Sequence, residues 1–134
     1  MMPEAIAPWT PRESDTVELV PTGTAWDAVR STDRFGRAVI DRLGSRCGAV
    51  IVDGSGAVLY WLVKPGSADK WMLPQYAVSI IGANAYVAVP SVRFVSGPGL
   101  HWGIAPTPLR CLTDTELLFA AIEAETERAY GPRS

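Results

Sequence analysis

Hydrophobic and polar positions change period several times along this chain, and each change marks an element. From Thr24 to Arg30 the alternation sets Trp26 and Ala28 on one side and Asp27 and Val29 on the other, which predicts a first strand. Ser31-Thr32-Asp33 then offers helix-capping oxygens and a carboxylate at the positive end of a helix dipole. Phe35, Val39, Ile40 and Leu43 follow at helical spacing and Gly44 supplies a stop. The other side of that helix carries Arg34, Arg37 and Asp41, with Arg46 beyond its end, a pattern read as a solvated face.

Between Ala49 and Val63 two apolar runs flank Asp53-Gly54-Ser55-Gly56, the pattern of a β-hairpin. Val58, Tyr60 and Leu62 on one side and Leu59, Trp61 and Val63 on the other make the second strand apolar on both faces. It is therefore expected at the centre of a sheet covered on both sides. Lys64-Pro65-Gly66-Ser67 leads to an expected one-turn helix over Ala68 to Trp71, ended by Leu73-Pro74.

Tyr76 to Ile81 and Asn84 to Val89 read as two further strands, and the intervening Gly82-Ala83 has the spacing of a tight hairpin. Leu100, Trp102 and Ile104 are expected to share one face of a last strand after the Ser96-Gly97-Pro98-Gly99 turn. Thr113-Asp114-Thr115-Glu116 matches a capping box, and Leu117, Leu118, Ala121 and Ile122 continue a helix to about Arg128. The order predicts an α+β fold, a mainly antiparallel sheet of about six strands with two main helices packed on it. The expected organisation is a proline-containing arm over 1–22, one domain over 23–128 and a short tail over 129–134. Two readings of the arm remain open, a disordered segment or one lying across the domain with Trp9, Leu19 and Val20 as anchors.

Composition narrows the function classes. At 134 residues, 48% hydrophobic and 19% charged, the chain suits a single folded core. A net charge of −2 gives no general attraction for nucleic acid or an anionic membrane. No basic segment precedes an apolar run at the start, and the run from Ala57 to Val63 is far shorter than the roughly 20 residues of a membrane helix. A cytoplasmic location is the expectation. Cys47 and Cys111 lack redox-motif or zinc-ligand spacing and read as small buried apolar residues.

Candidate chemistry is sparse. No nucleophile elbow, zinc-protease helix, Walker loop or dinucleotide fingerprint occurs, and the single His101 has no local nucleophile beside it. Two-metal chemistry needs converging carboxylates, but the same-face neighbour of Asp27 at two positions on is Val29, and Asp69 and Asp114 read as helix caps. No metal and no cofactor are expected. Lys64 with Ser67 forms the most suggestive anion site, a cation followed by a hydroxyl at a helix start, with Arg30 as a further ligand-binding candidate. Five tryptophans are the compositional excess. Trp61, Trp71 and Trp102 could serve as core, as an association surface or as a stacking platform for bases, and the lack of a basic excess favours protein over nucleic acid.

Several segments together resemble small actinobacterial proteins related to the bifunctional primase-polymerase N-terminal domain. They are Trp26-Asp27-Ala28-Val29, Arg42-Leu43-Gly44, Gly48-Ala49-Val50-Ile51, Leu59-Tyr60-Trp61-Leu62-Val63 with Pro65-Gly66, and Tyr86-Val87-Ala88-Val89-Pro90. The resemblance spans roughly residues 22–122 and implies a related fold. It implies that Asp27 stands for the first metal-binding acid and Gly99-x-His101 for the small-x-His nucleotide motif. With Val29 in place of the second acid, it argues against polymerase activity. The expected function is thus a non-enzymatic regulatory or accessory binding module acting through a protein partner or self-association, possible as a dimer and not membrane-bound. The alternatives are a degenerate primase-polymerase-like nucleotide-binding domain using Asp27 and His101, and a single-strand nucleic-acid binder using exposed tryptophans.

Overall fold

A computed structural model describes residues 9, 11, 16–73, 78–108 and 110–131. Pro74 and Tyr76, expected to close the 64–73 connection and to open the next strand, lie outside the described residues, as do most of the arm and the last three residues. Seven strands and two α-helices follow one another: β1 (Glu18–Pro21), β2 (Asp27–Thr32), α1 (Asp33–Leu43), β3 (Val50–Asp53), β4 (Val58–Val63), β5 (Val78–Ile81), β6 (Tyr86–Val89), β7 (Leu100–Ile104) and α2 (Thr115–Tyr130). The expected α+β class is what forms. Five strands pair antiparallel in the order β5-β2-β4-β3-β7, and β1 pairs with β6 in a separate two-stranded ribbon.

The apolar runs explain the layering. β4 is the central strand, as its two apolar faces require. Leu59, Trp61 and Val63 join Val29, Val50 and Val52 in a core closed by Phe35, Val39 and Leu43 of α1 and by Leu118, Ala121 and Ile122 of α2. On the opposite face Trp26, Ala28, Ile51, Leu62 and Trp102 are covered by Val20, Val87 and Val89 of the ribbon. The sheet is thus sandwiched between helices and ribbon, and two hydrophobic cores stabilise it from either side.

Several local expectations are corrected. Residues 18–21 form β1, so this part of the arm lies across the domain with Val20 as an anchor, and only Leu19, on the alternate side, stays exposed instead of anchoring. β5 and β6 do not form a hairpin. β5 pairs with β2 and β6 with β1, so the chain crosses between layers over residues 82–85. Thr22 clamps that crossing, its amide donating to Ala85 O at 2.9 Å and its hydroxyl donating to Gly82 O. Asn84 takes a left-handed φ of 72° there.

Ile104 does not share the face of Trp102. The β3–β7 register passes from Trp102↔Ile51 to Ile104↔Val50, leaving Gly103 as the extra residue of a bulge, and Ile104 turns to the helix-side core. The N-cap of α2 is Asp114, whose Oδ1 accepts the Leu117 amide at 2.9 Å. Thr113 is instead buried, with Oγ1 accepting the Gly48 amide at 2.9 Å. The helix runs two residues past Arg128, to Tyr130.

Candidate functional site

The connection between β4 and β5 begins at Lys64 and folds through successive β-turns rather than a helix: Ser67 N donates to Lys64 O, Asp69 N to Gly66 O, and Trp71 N to Ala68 O at 3.0, 3.3 and 3.1 Å. Pro65-Gly66 makes this compact, since Gly66 sits at a φ of 75° that side chains disfavour. Two contacts fix the connection to the rest of the fold. Gly66 N donates to Asp27 Oδ2 at 2.8 Å, and the Ser67 and Thr115 hydroxyls share a 2.7 Å hydrogen bond.

That geometry corrects the expected anion site. Two of the donors that would cradle a ligand anion are engaged within the chain, because Gly66 N holds the chain's own Asp27 carboxylate and Ser67 Oγ donates to Lys64 O while meeting Thr115. Lys64 is exposed at the start of the loop. Asp27 is 1% exposed, so the acid is a structural anchor for this connection.

The tryptophans divide sharply. Trp26, Trp61 and Trp102 are at most 1% exposed. Trp61 lies among helix-side core residues, and Trp102 donates through Nε1 to Pro90 O at 3.1 Å on the ribbon side. Neither Trp61 nor Trp102 can serve as a stacking surface. Trp9 meets Trp26 edge-on with ring centroids 5.4 Å apart, which extends the ribbon-side core. Trp71 is different. It is only partly buried, and its ring lies 5.2 Å from that of Phe119 on α2.

Trp71 and Phe119 floor a groove of about 640 Å3 lined by Ser67, Lys70, Met72, Thr115 and Glu116. Met72 is 77% exposed on its edge. On the other side of the indole a smaller concavity reaches Leu73, Val78 and Ile80, so the aromatic shelf is continuous with β5 at the end of the sheet. Phe119 and Met72 were not singled out by sequence patterning. Phe119 falls beside the Leu118, Ala121 and Ile122 stripe, and that offset was the signal that it faces outward.

His101 occupies the opposite corner. Asp27 pairs with Val63, whereas His101 pairs with Val52, which pairs with Leu59. Four residues along β4 and three strand spacings across separate them, about 13 Å by about 14 Å. The His101 ring Nδ1 meets Gly99 O at 2.8 Å. Arg30 lies exposed in the middle of β2, between Tyr60 and Ser79. The structure therefore gathers Asp27, Lys64, Ser67 and Trp71 at one end of the sheet and leaves His101 and Arg30 apart from them.

No family model matches the chain, nor does any curated protein or solved structure.

Two further features are structural. Among the described residues no helix is long and apolar enough to cross a membrane. Cys47 and Cys111 are free thiols within the cores, and burial pushes both up from the ordinary thiol range, Cys111 to about 11. At neutral pH they stay protonated and unreactive.

Proposed function

We propose that the protein is a non-enzymatic accessory or regulatory module of the cytoplasm that works by protein association, and that a second copy of the chain occupies the Trp71–Phe119 groove. One observation carries this reading: with Trp26, Trp61 and Trp102 buried, Trp71 stays partly exposed against Phe119 in a groove that the exposed Met72 also lines. Aromatic and methionine side chains so placed leave apolar area in water that a partner removes, and tryptophan is the residue most enriched at binding hot spots.

The rim supports a two-fold arrangement. Lys70 and Glu116 both line the groove, and in an isologous contact each can face its opposite on the other copy. The neighbouring β5 adds to this reading, because it ends the sheet and its Val78-Ser79-Ile80-Ile81 sequence carries no charge or proline to discourage edge pairing. The alternatives have less support. Nucleotide binding of the primase-polymerase kind would need Asp27 and His101 together, and single-strand stacking would need Trp61 and Trp102 in solvent.

Sedimentation velocity over a wide concentration range tests the proposal. The wild-type chain should shift from monomer to dimer, and Trp71→Ala should abolish the shift. Lys70→Glu or Glu116→Lys alone should weaken association, while the double exchange should restore it. A wild-type chain that remains monomeric at the highest concentration refutes the reading.

A further inference from the structure

Methionine occurs at positions 1, 2 and 72, and only Met72 falls among the described residues. It lines the Trp71–Phe119 groove and is 77% exposed, whereas Trp71 and Phe119 are both half-buried. Its side chain is therefore the most open part of the groove's apolar lining. The thiols are shielded by comparison, since Cys47 is fully buried and Cys111 is 8% exposed. Among the described residues, an oxidant in solution thus meets sulfur first at Met72.

We infer that Met72 is an oxidation site through which hydrogen peroxide switches off association at this groove, an inference that rests on the association reading above. Peroxide delivers one oxygen atom to the thioether. The S–O bond forms as the peroxide O–O bond breaks, sulfur is oxidised by two electrons and the peroxide is reduced to water. A polar sulfoxide oxygen then stands where the side chain was apolar. In the free chain, water hydrogen-bonds that oxygen. In the associated pair it is buried beside Trp71 and Phe119, where the hydroxyl donors of the groove are engaged, Ser67 with Lys64 O and Thr115 with Ser67, and where Lys70 faces Glu116 of the other copy. Oxidation therefore favours the free chain over the pair. A dithiol, acting through methionine sulfoxide reductases, reverses the step and yields the thioether, a disulfide and water. Because the groove is open only in the free chain, association also protects Met72.

Sedimentation velocity on the full chain before and after mild peroxide treatment, with Met72 oxidation followed by peptide mass spectrometry, tests the inference. Oxidation should raise the dissociation constant of the wild-type pair on the order of tenfold or more, in step with the fraction of Met72 oxidised and with an unchanged circular dichroism spectrum. Sulfoxide reductases with dithiothreitol should restore it. Met72 should also oxidise more slowly at concentrations where the chain is paired. In Met72→Leu, whatever its starting affinity, peroxide should leave the dissociation constant where it was. Association that persists with Met72 fully oxidised, or an equal response from Met72→Leu, overturns the inference and leaves the association reading standing. A wild-type chain that is monomeric before any peroxide is added overturns both, so the two failures are told apart at the first step.

Discussion

Arg42 of α1 and Glu125 of α2 are joined by a 3.0 Å ion pair whose carboxylate side chain is 3% exposed. Arg128 grips the other oxygen of the same carboxylate, Nε donating to Oε2 at 2.8 Å. One buried acid therefore ties the two helices to each other. The arginines hold its carboxyl below the ordinary 4.5, chiefly through the Arg128 hydrogen bond, with burial opposing.

A pH dependence follows from that direction. Because the folded-state pKa is depressed, the pair contributes its stability above the unfolded value and loses it as pH falls through the folded one. Thermal melts from pH 7 downward should show wild type losing an increment below about pH 4.5 that Glu125→Gln lacks. Parallel pH profiles for the two proteins would refute this.

Arg42→Ala should cost about 1 kcal/mol, and Arg128→Ala, whose guanidinium is exposed, should lower stability less, because in each case the surviving arginine still pairs with the acid. Removing both leaves a buried charge unpaired, so chemical denaturation should show the double variant losing more than the two single losses combined.

Gly36 marks the closest approach of α1 to the sheet. A Cβ there would lie 2.6 Å from Leu59 Cδ1. Gly36→Ala gains helix propensity of about 1 kcal/mol, yet it overpacks the contact at a cost of about 1–3 kcal/mol. The net effect expected in urea unfolding is a loss of stability, and Leu59→Val should recover part of it by making room.

The tryptophans should separate by site. Trp61→Ala should destabilise by about 3–5 kcal/mol, as a large side chain removed from a packed core does. Trp71→Ala should cost less than Trp61→Ala, because the indole is only partly buried against the helix-side core, and its further effect should appear in association. Equal losses in denaturant titrations would place Trp71 in the core and contradict the surface described above.

Cys47 and Cys111 should resist a thiol reagent in the native protein at pH 8 and react together on unfolding. Burial keeps Cys111 protonated well above that pH, with a pKa of about 11. Rapid labelling of the native chain would contradict this packing.

Much of the fold was legible because its signals are local. The β3–β4 hairpin, the centrality of β4 and the capped α1 each follow from neighbouring residues and from the side-chain period. What escaped depends on distant partners. Val20 forms a strand because Val87 and Val89 lie opposite, and Gly103 bulges because β3 is one residue short across from it. The site was half legible for the same reason. Lys64, Ser67 and Trp71 stand out in the sequence, but Asp27 as the acceptor for Gly66, and Phe119 as the partner of Trp71, arise only when β2 and α2 meet at the same end of the sheet.

The ribbon has a consequence for how the chain is made. Glu18 finds its partner in Val89, seventy-one positions later, so β1 must wait for β6 to be made before it can pair. Until then the face bearing Trp26 has no cover, and closing so long a loop is entropically slow compared with forming the β3–β4 hairpin. A strand made before its partner is thus among the last to settle. A chain beginning at Thr22 should therefore bind a hydrophobic dye that the full chain excludes, as a nascent chain stalled before residue 86 would.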